Sequence, residues 1–365
     1  MSEYLNTLLA HLGRGEPLVQ ATILAALGST PRSAGSRMLL APEADGVRIL
    51  AGTVGGGLVE AQVMARATHI MDSGGRCAER CAGRCVEQFD LTGELAAGAD
   101  MICGGRLCVF LERLGPGDLP LFRRLALALR QGQRCLRLTP LAHGPASLLL
   151  PKGGCFSGEC FGGECFGAEI DGELALEAWR AGQGSAASMV LTARGQDYAL
   201  EPWAAASPLC IFGAGHVSRP TAQLAAMLGF RVTVLDDRAD FASAERFPQA
   251  QPRVLDSYAD CFAGLPTGPE TFVVIVTRGH LHDAEVLAQA LRTSAGYIGM
   301  IGSRCKRDAV YARLRGQGFS EADLGRVRCP IGLAIGAETP EEIAVSISAE
   351  LVAFRAGLRA GGPLP

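Results

Sequence analysis

The stretch from Leu209 to Asp237 constrains the fold more than any other part of this chain. An apolar run, Leu209–Phe212, passes directly into Gly213-Ala214-Gly215-His216-Val217-Ser218. A helix-compatible segment, Ser218–Leu228, then leads to a second apolar run, Val232–Leu235, which ends on Asp236 and Asp237. The glycines let the backbone turn sharply and approach a phosphate. The helix N-terminus offers free N–H groups and the positive end of its dipole, and an acid about 20 residues on meets ribose hydroxyls. A bare glycine turn is the competing reading, and the strand–turn–helix–strand–acid order speaks against it. Ser218 stands where a third glycine is usual, which predicts slightly looser packing of helix on strand.

The pattern continues downstream. Strands are predicted over Phe272–Val276 and Tyr297–Met300, and helices over Asp283–Leu291, Lys306–Arg315 and Pro340–Phe354. Alternation of this kind predicts a doubly wound parallel sheet covered by helices on both faces. Ligands of such sheets bind beyond the carboxyl ends of the strands. The loops Gly213–Ser218, Thr277–Asp283 and Gly302–Arg304 are therefore expected to meet at one crevice. They would bring His216, Arg219, Arg278, His280, His282 and Arg304 to it, and arginine forks suit phosphate oxygens. His216 has two readings, a neutral partner to the ligand or a helix cap. His280, His282 and Asp283 as a metal set fall short of the usual three or four ligands of a closed site with only a His-x-His pair at their centre.

The N-terminal part reads as mixed α/β. Helices are predicted over residues 3–13, Leu58–Met71 and Leu119–Leu129. Strands are predicted over Leu18–Leu27, Met38–Leu40, Val47–Leu50, Val86–Leu91, Leu107–Leu111 and Cys135–Leu138. Gly153–Gly167 repeats cysteine and phenylalanine every five residues, a period that fits neither helix nor strand. It reads as a loop within a Cys/Gly-rich insertion near 151–170. Ala181–Ser188 reads as a turn and Pro202–Pro208 as a linker, so domains are expected over 1–200 and 207–365.

Two glycine-rich sites stand out here. Gly55, Gly56 and Gly57 open the helix at 58–71, where successive glycines can turn several N–H groups toward one anion. Glu60 falls in the first turn, suited to the helix dipole. No Lys-Ser or Lys-Thr follows, so this is not a P-loop. Arg32 and Arg37, on the loop from Gly28 to Met38, either add to an anion site or are solvated surface charges. Cys103 precedes Gly104-Gly105 and is either an accessible soft-metal ligand or sulfur carrier, or an inert buried thiol.

The length of 365 residues predicts two or three domains. A net charge of -3 without a basic stripe excludes the electrostatic footprint of a nucleic-acid binder. No apolar run approaches the roughly 18 residues of a membrane span, and Met1–Pro17 lacks the order of a signal peptide. A cytoplasmic location is the expectation. Thirteen cysteines cannot close into a disulfide framework. Some, such as Cys210, read as small core residues. The sets Cys77, Cys81, Cys85 and Cys155, Cys160, Cys165 match neither zinc-ribbon nor iron–sulfur spacing, which leaves a soft-metal site or loop drift.

Several of these blocks recur together in one family. Gly-Ser-Thr-Pro-Arg at 28–32, Gly-Thr-Val-Gly-Gly-Gly at 52–57 with Glu60, Cys-Gly-Gly at 103–105 and Gly-Ala-Gly-His-Val at 213–217 resemble the XdhC/CoxI family. So do Leu-Asp-Asp-Arg at 235–238, Thr-Arg-Gly-His at 277–280, Ile-Gly-Met-Ile-Gly-Ser-Arg at 298–304, Pro-Ile-Gly-Leu at 330–333 and Thr-Pro-Glu-Glu-Ile-Ala at 339–344. The resemblance implies an N-terminal XdhC/CoxI domain and a C-terminal Rossmann domain. It implies a chaperone that binds molybdenum cofactor (molybdopterin, alone or in its dinucleotide form), protects its sulfurated state and delivers it to a xanthine dehydrogenase or aldehyde oxidoreductase-type hydroxylase. The partners it implies are the apo-hydroxylase, a cysteine desulfurase and a second copy of the chain, with Cys103 as the candidate molybdenum contact. An NAD(P)-dependent oxidoreductase built on the same loop is the alternative.

Overall fold

The computed structural model describes residues 3–72, 83–91, 104–151, 162–182 and 187–356. It divides into two compact units, residues 1–205 and 206–365.

The first unit carries two antiparallel five-stranded sheets. In one, β1 (Leu18–Leu27) is central, flanked by β2 (Arg37–Glu43) and β3 (Gly46–Gly52) on one side and by β5 (Arg106–Leu114) and β4 (Arg84–Asp90) on the other. Its amphipathic partner is helix α2 (Gly57–Asp72), whose Val59, Val63, Ala67 and Ile70 cover Val19, Ala21 and Ile23. In the second sheet the order is β8 (Gly163–Gly167), β7 (Ser147–Pro151), β6 (Cys135–Pro140), β10 (Gln196–Trp203), β9 (Met189–Ala193). Helices α1 (Glu3–Gly13) and α3 (Leu119–Arg130) share one core with Leu148 and Leu150. Helix α4 (Gly172–Gly182) packs Trp179 against Leu136, Leu149 and Leu200.

Leu18–Leu24 of β1 are buried without a break, although Gln20 and Thr22 are polar. Their face meets Glu112 of β5, Arg137 of β6 and Glu201 of β10, all within 1% of full burial. Arg137 forks onto Glu112 and bonds Glu201 at 2.7 Å. Gln20 donates to both carboxylates at 3.2 Å, and Arg37 Nε lies 3.2 Å from Glu201. Burial alone pushes the Glu201 carboxyl up, but the Arg137 and Arg37 charges hold it below its ordinary value. Paired in this way, buried ions are tolerated; left single, each is costly.

The second unit is a six-stranded sheet, all parallel. Its strands are β11 (Pro208–Phe212), β12 (Arg231–Asp236), β13 (Gln251–Val254), β14 (Phe272–Ile275), β15 (Tyr297–Met300) and β16 (Val327–Arg328), in the spatial order β13-β12-β11-β14-β15-β16. Strand alternation feeds two cores. Leu209 and Ile211 join Val232 and Val234 beneath α5 (Ser218–Met227) and α9 (Pro340–Arg355), while Cys210 and Phe212 join Val273 and Ile275 beneath α6 (His280–Leu291) and α7 (Arg304–Gly316). A short α8 (Glu321–Leu324) precedes β16. Cys210 is 1% exposed, a small core residue as read from its apolar run. Among the described residues no helix is long and apolar enough to cross a membrane.

Three expectations change. Gly163–Gly167 is a strand paired to β7, not loop; its pairing partner supplies what its period could not show. Pro202 and Trp203 end β10 and Pro208 begins β11, so the linker shrinks to the residues between. The turn expected over Ala181–Ser188 begins inside α4, which runs to Gly182, and β9 and β10 follow it in a stretch for which no element was expected.

Candidate functional site

In the second unit, β11 to β13 run to one side of the sheet and β14 to β16 to the other. The strand order therefore reverses between β11 and β14, and the loops that leave their carboxyl ends part there to open a crevice. Gly213 closes its floor at φ +104°, and a Cβ there would sit 2.4 Å from the Val276 carbonyl oxygen. Only glycine lets the two loops come this close. Gly215 follows in the same turn. Ser218, buried, donates its hydroxyl to the Gly213 carbonyl at 2.5 Å. The residue expected to loosen the helix instead ties it to the loop.

Asp236 is 1% exposed. It accepts the Ala214 N–H at 2.8 Å, the Arg238 N–H at 3.0 Å and the Arg238 guanidinium at 2.8 and 2.9 Å. Burial pushes its carboxyl up, but these donors outweigh it and hold it at about 2. Asp236 thus pins the glycine loop to the end of β12. Asp237 bonds Arg278 at 2.8 Å, which joins the end of β12 to the loop after β14. Asp283, fully buried, accepts the Thr277 hydroxyl at 2.6 Å and pairs with Lys306 at the start of α7. Ser303 caps that helix through the Lys306 N–H at 3.2 Å.

These contacts bring the loops after β11, β14 and β15 together, with Gly213, Asp236, Asp237 and Arg278 at their meeting. His216, Arg219 and Arg304 are exposed at the entries to α5 and α7. His280 opens α6, and its side chain lies outside the described residues. His282 packs against Tyr258 with ring centroids 4.7 Å apart and planes tilted by 34°, while Asp283 turns inward. Among the described residues no three His, Cys, Asp or Glu side chains converge as metal ligands.

The first unit gathers its own motifs. Gly55, at φ +128°, would place a Cβ 2.7 Å from Pro31 Cγ. Gly105 lies so close to the turn after β1 that a Cβ would reach Leu27 O at 2.5 Å and Thr30 Cγ2 at 2.6 Å. The blocks at 28–32, 52–57 and 104–105 therefore form one cluster. Within it the Gly55 N–H donates to Thr53 Oγ1 at 3.1 Å, and the Thr53 hydroxyl donates to Glu60. Gly56 and Gly57 lead into α2, whose first N–H groups have no partner inside the helix. Arg32 is exposed at the rim. Arg37 points elsewhere: it lies 3.9 Å over the Trp203 ring and pairs with Glu201. Cys103, Cys77, Cys81, Cys155 and Cys160 lie outside the described residues; within them Cys85 is half-buried and Cys165 exposed.

Sequence reasoning missed Arg238, Lys306 and Tyr258 at the crevice. Arg238 sits in the Leu-Asp-Asp-Arg block and could have been found by asking what neutralises two adjacent acids. Tyr258 lies in an irregular stretch with no signal at all.

Comparison with known proteins places these features. Residues 209–351 match the family described as the XdhC Rossmann domain, and residues 11–81 match the XdhC and CoxI family. The Escherichia coli protein YqeB, described as uncharacterized, is 36% identical over 145 residues, 40% of this chain. That alignment spans only 26% of YqeB's length. A Bacillus subtilis protein described as a probable xanthine dehydrogenase subunit is 27% identical over 357 residues, 97% of this chain and 98% of that one. The crystal structure of a xanthine dehydrogenase from Bacillus halodurans superposes with a TM-score of 0.72 at 25% identity, covering 100% of this chain and 98% of that one.

Proposed function

The chain belongs to the XdhC and CoxI family, and from that premise we propose that it is an accessory protein of a xanthine dehydrogenase-type molybdenum hydroxylase. Its task on this reading is to hold molybdenum cofactor, keep its sulfurated form intact and hand it to the apo-hydroxylase. The carrying observation is the strand-order reversal, where Gly213 lets the turn after β11 pack directly against the loop after β14 and Asp236 holds the Ala214 N–H of that turn in place. Such a cradle fits a phosphate-bearing ligand. Full-length similarity to a protein described as part of a xanthine dehydrogenase supports the partner class.

Residues are assigned roles on the same footing. Gly213, Gly215 and His216 take the phosphate end, with Arg278, His280 and Arg304 beside it and Asp236 and Asp237 behind. In the first unit, Gly55, Gly56, Gly57, Glu60 and Arg32 form a second polar cluster, and Cys103, bonded directly to Gly104, is the soft donor for molybdenum or its sulfur. When bound, the cofactor supplies the metal and the transferable sulfur; the protein's part is to bind, orient and shield. Arg37 is assigned to the Glu201 pair rather than to the ligand. A cysteine desulfurase and a second copy of the chain are the remaining proposed partners, and the cytoplasm the proposed location.

The experiment is elemental and cofactor analysis of the purified full chain, followed by transfer to an apo-hydroxylase. Retained molybdenum and restored hydroxylase activity are expected, with both reduced in Cys103→Ser. Bound NAD(P) without molybdenum would support an oxidoreductase instead, which the same crevice also accommodates. Unchanged retention and transfer in Cys103→Ser would remove the role given to that thiol.

A further inference from the structure

Side chains alternate along a strand, so residues two apart share a face. From the buried Glu112–Arg137–Glu201 network of the first unit, β5 continues on that face to Phe110 and Cys108, and β10 to Ala199 and Asp197. One step out, Phe110 and Ala199 fill the space between the two sheets in a small apolar cluster with Leu24 and Cys108. A second step out, the space is open. Cys108, Leu141 and Asp197 line a cavity of about 620 Å³ there, within the roughly 300–1,000 Å³ of small-molecule sites.

The lining says what such a cavity can hold. Val86 of β4 and Val190 of β9 belong to different sheets and are 37% and 39% exposed, which gives it two aliphatic flanks. Gln88, Gln196 and His143 supply hydrogen-bonding groups, and Asp197 is the one carboxylate. Among the described residues no Arg or Lys lines it. The Cys108 thiol bonds the Gln88 side chain, but burial dominates and raises it above its ordinary value, so it stays uncharged at neutral pH. Asp197 is fixed in place. Its Oδ1 accepts the Thr192 hydroxyl at 2.6 Å, and its carbonyl accepts the Leu141 N–H at 2.9 Å. A phosphate would meet a carboxylate here and no cation. A flat, uncharged heterocycle with N–H donors along one edge would meet an acceptor for those donors and apolar surface for its faces.

Resting on the cofactor-carrier reading above, we propose that this cavity receives the pterin ring of the cargo. Asp197 accepts the two adjacent N–H donors of its 2-amino-4-oxopyrimidine edge, and Val86 and Val190 flank the ring. A carboxylate with two oxygens matches two neighbouring donors as no single amide does. Guanine carries the same edge on a purine, so pterin and guanine are separated by experiment.

The test is fluorescence titration of the full chain with pterin and with lumazine, which has an oxo group in place of the 2-amino group, followed by displacement of bound pterin with guanosine. Pterin is expected to bind at least about tenfold tighter than lumazine, the scale of one lost hydrogen bond to a charged group. Asp197→Asn is expected to bring that ratio towards one. Val86→Trp, a change at a partly exposed position, is expected to fill the cavity and abolish pterin binding while the circular dichroism spectrum is retained. The wild-type ratio decides the matter even if a variant folds poorly. Equal binding of pterin and lumazine, no binding of either, or an unchanged ratio in Asp197→Asn overturns the proposal. Guanosine binding as tightly as pterin overturns the assignment to the cofactor's ring. The molybdenum assay keeps the two readings apart: molybdenum retained without a preference for pterin removes this cavity alone, and a preference for pterin without molybdenum removes the carrier reading alone.

Discussion

Replacing Asp236 by asparagine tests the view that this acid is a clamp on the glycine loop. Its carboxyl lies at about 2 against an ordinary 3.8, a difference that corresponds to about 2–3 kcal/mol of stabilisation. The folded-state value is depressed, so the contribution is present in full above about pH 4 and is lost as pH falls from about 4 to 2. In Asp236→Asn the Ala214 N–H keeps an oxygen acceptor, but the Arg238 fork loses its charge partner and faces an amide N–H. The second unit is expected to lose about 2–3 kcal/mol at pH 7, read by urea unfolding. The difference between wild type and variant should shrink as pH drops through that window. Hydrogen exchange should show the Ala214 amide opening more readily in the variant at neutral pH. A loss below about 0.5 kcal/mol at pH 7, or one that does not change down to pH 2, would refute the clamp.

Arg137→Met leaves Glu112 and Glu201 facing each other in the interior of the first unit and should cost about 3–5 kcal/mol, seen as a lowered melting temperature; adding Glu112→Gln should recover part of it, and a loss below about 1 kcal/mol would speak against the paired network. Gly55→Ala combines a strained φ with a clash against Pro31, and about 2–4 kcal/mol of destabilisation is expected by denaturant unfolding. Pairing it with Pro31→Ala should relieve the clash but not the backbone strain, so full recovery would contradict this account.

Much of the second unit was legible from residue order, because its signals are local. A four-residue apolar run, a glycine turn and an acid at the next strand end are all encoded within about 30 residues, the length of one βαβ unit. The short edge strands β13 and β16 were not legible: Gln251–Val254 and Val327–Arg328 carry little apolar pattern and owe their extension to the neighbours they pair with. In the second sheet of the first unit only β6 was legible, as the apolar run Cys135–Leu138. Gly163–Gly167 looks like a loop until β7 offers its backbone groups.

The candidate site divides along the same line. Sequence alone determined where a phosphate-type turn stands, which blocks of the chain belong to the family and which residue types edge the crevice, since each follows from neighbours along the chain. Tertiary structure alone decided how those residues are used. It saturated Asp236 and left Asp237 one open oxygen, drew Arg37 away from the Gly28–Met38 loop to a buried carboxylate, and set Tyr258 beside the acids from more than 20 positions away. Hydrogen-bond saturation depends on which donors reach an atom in space, and no periodicity in one chain segment records what folds against it.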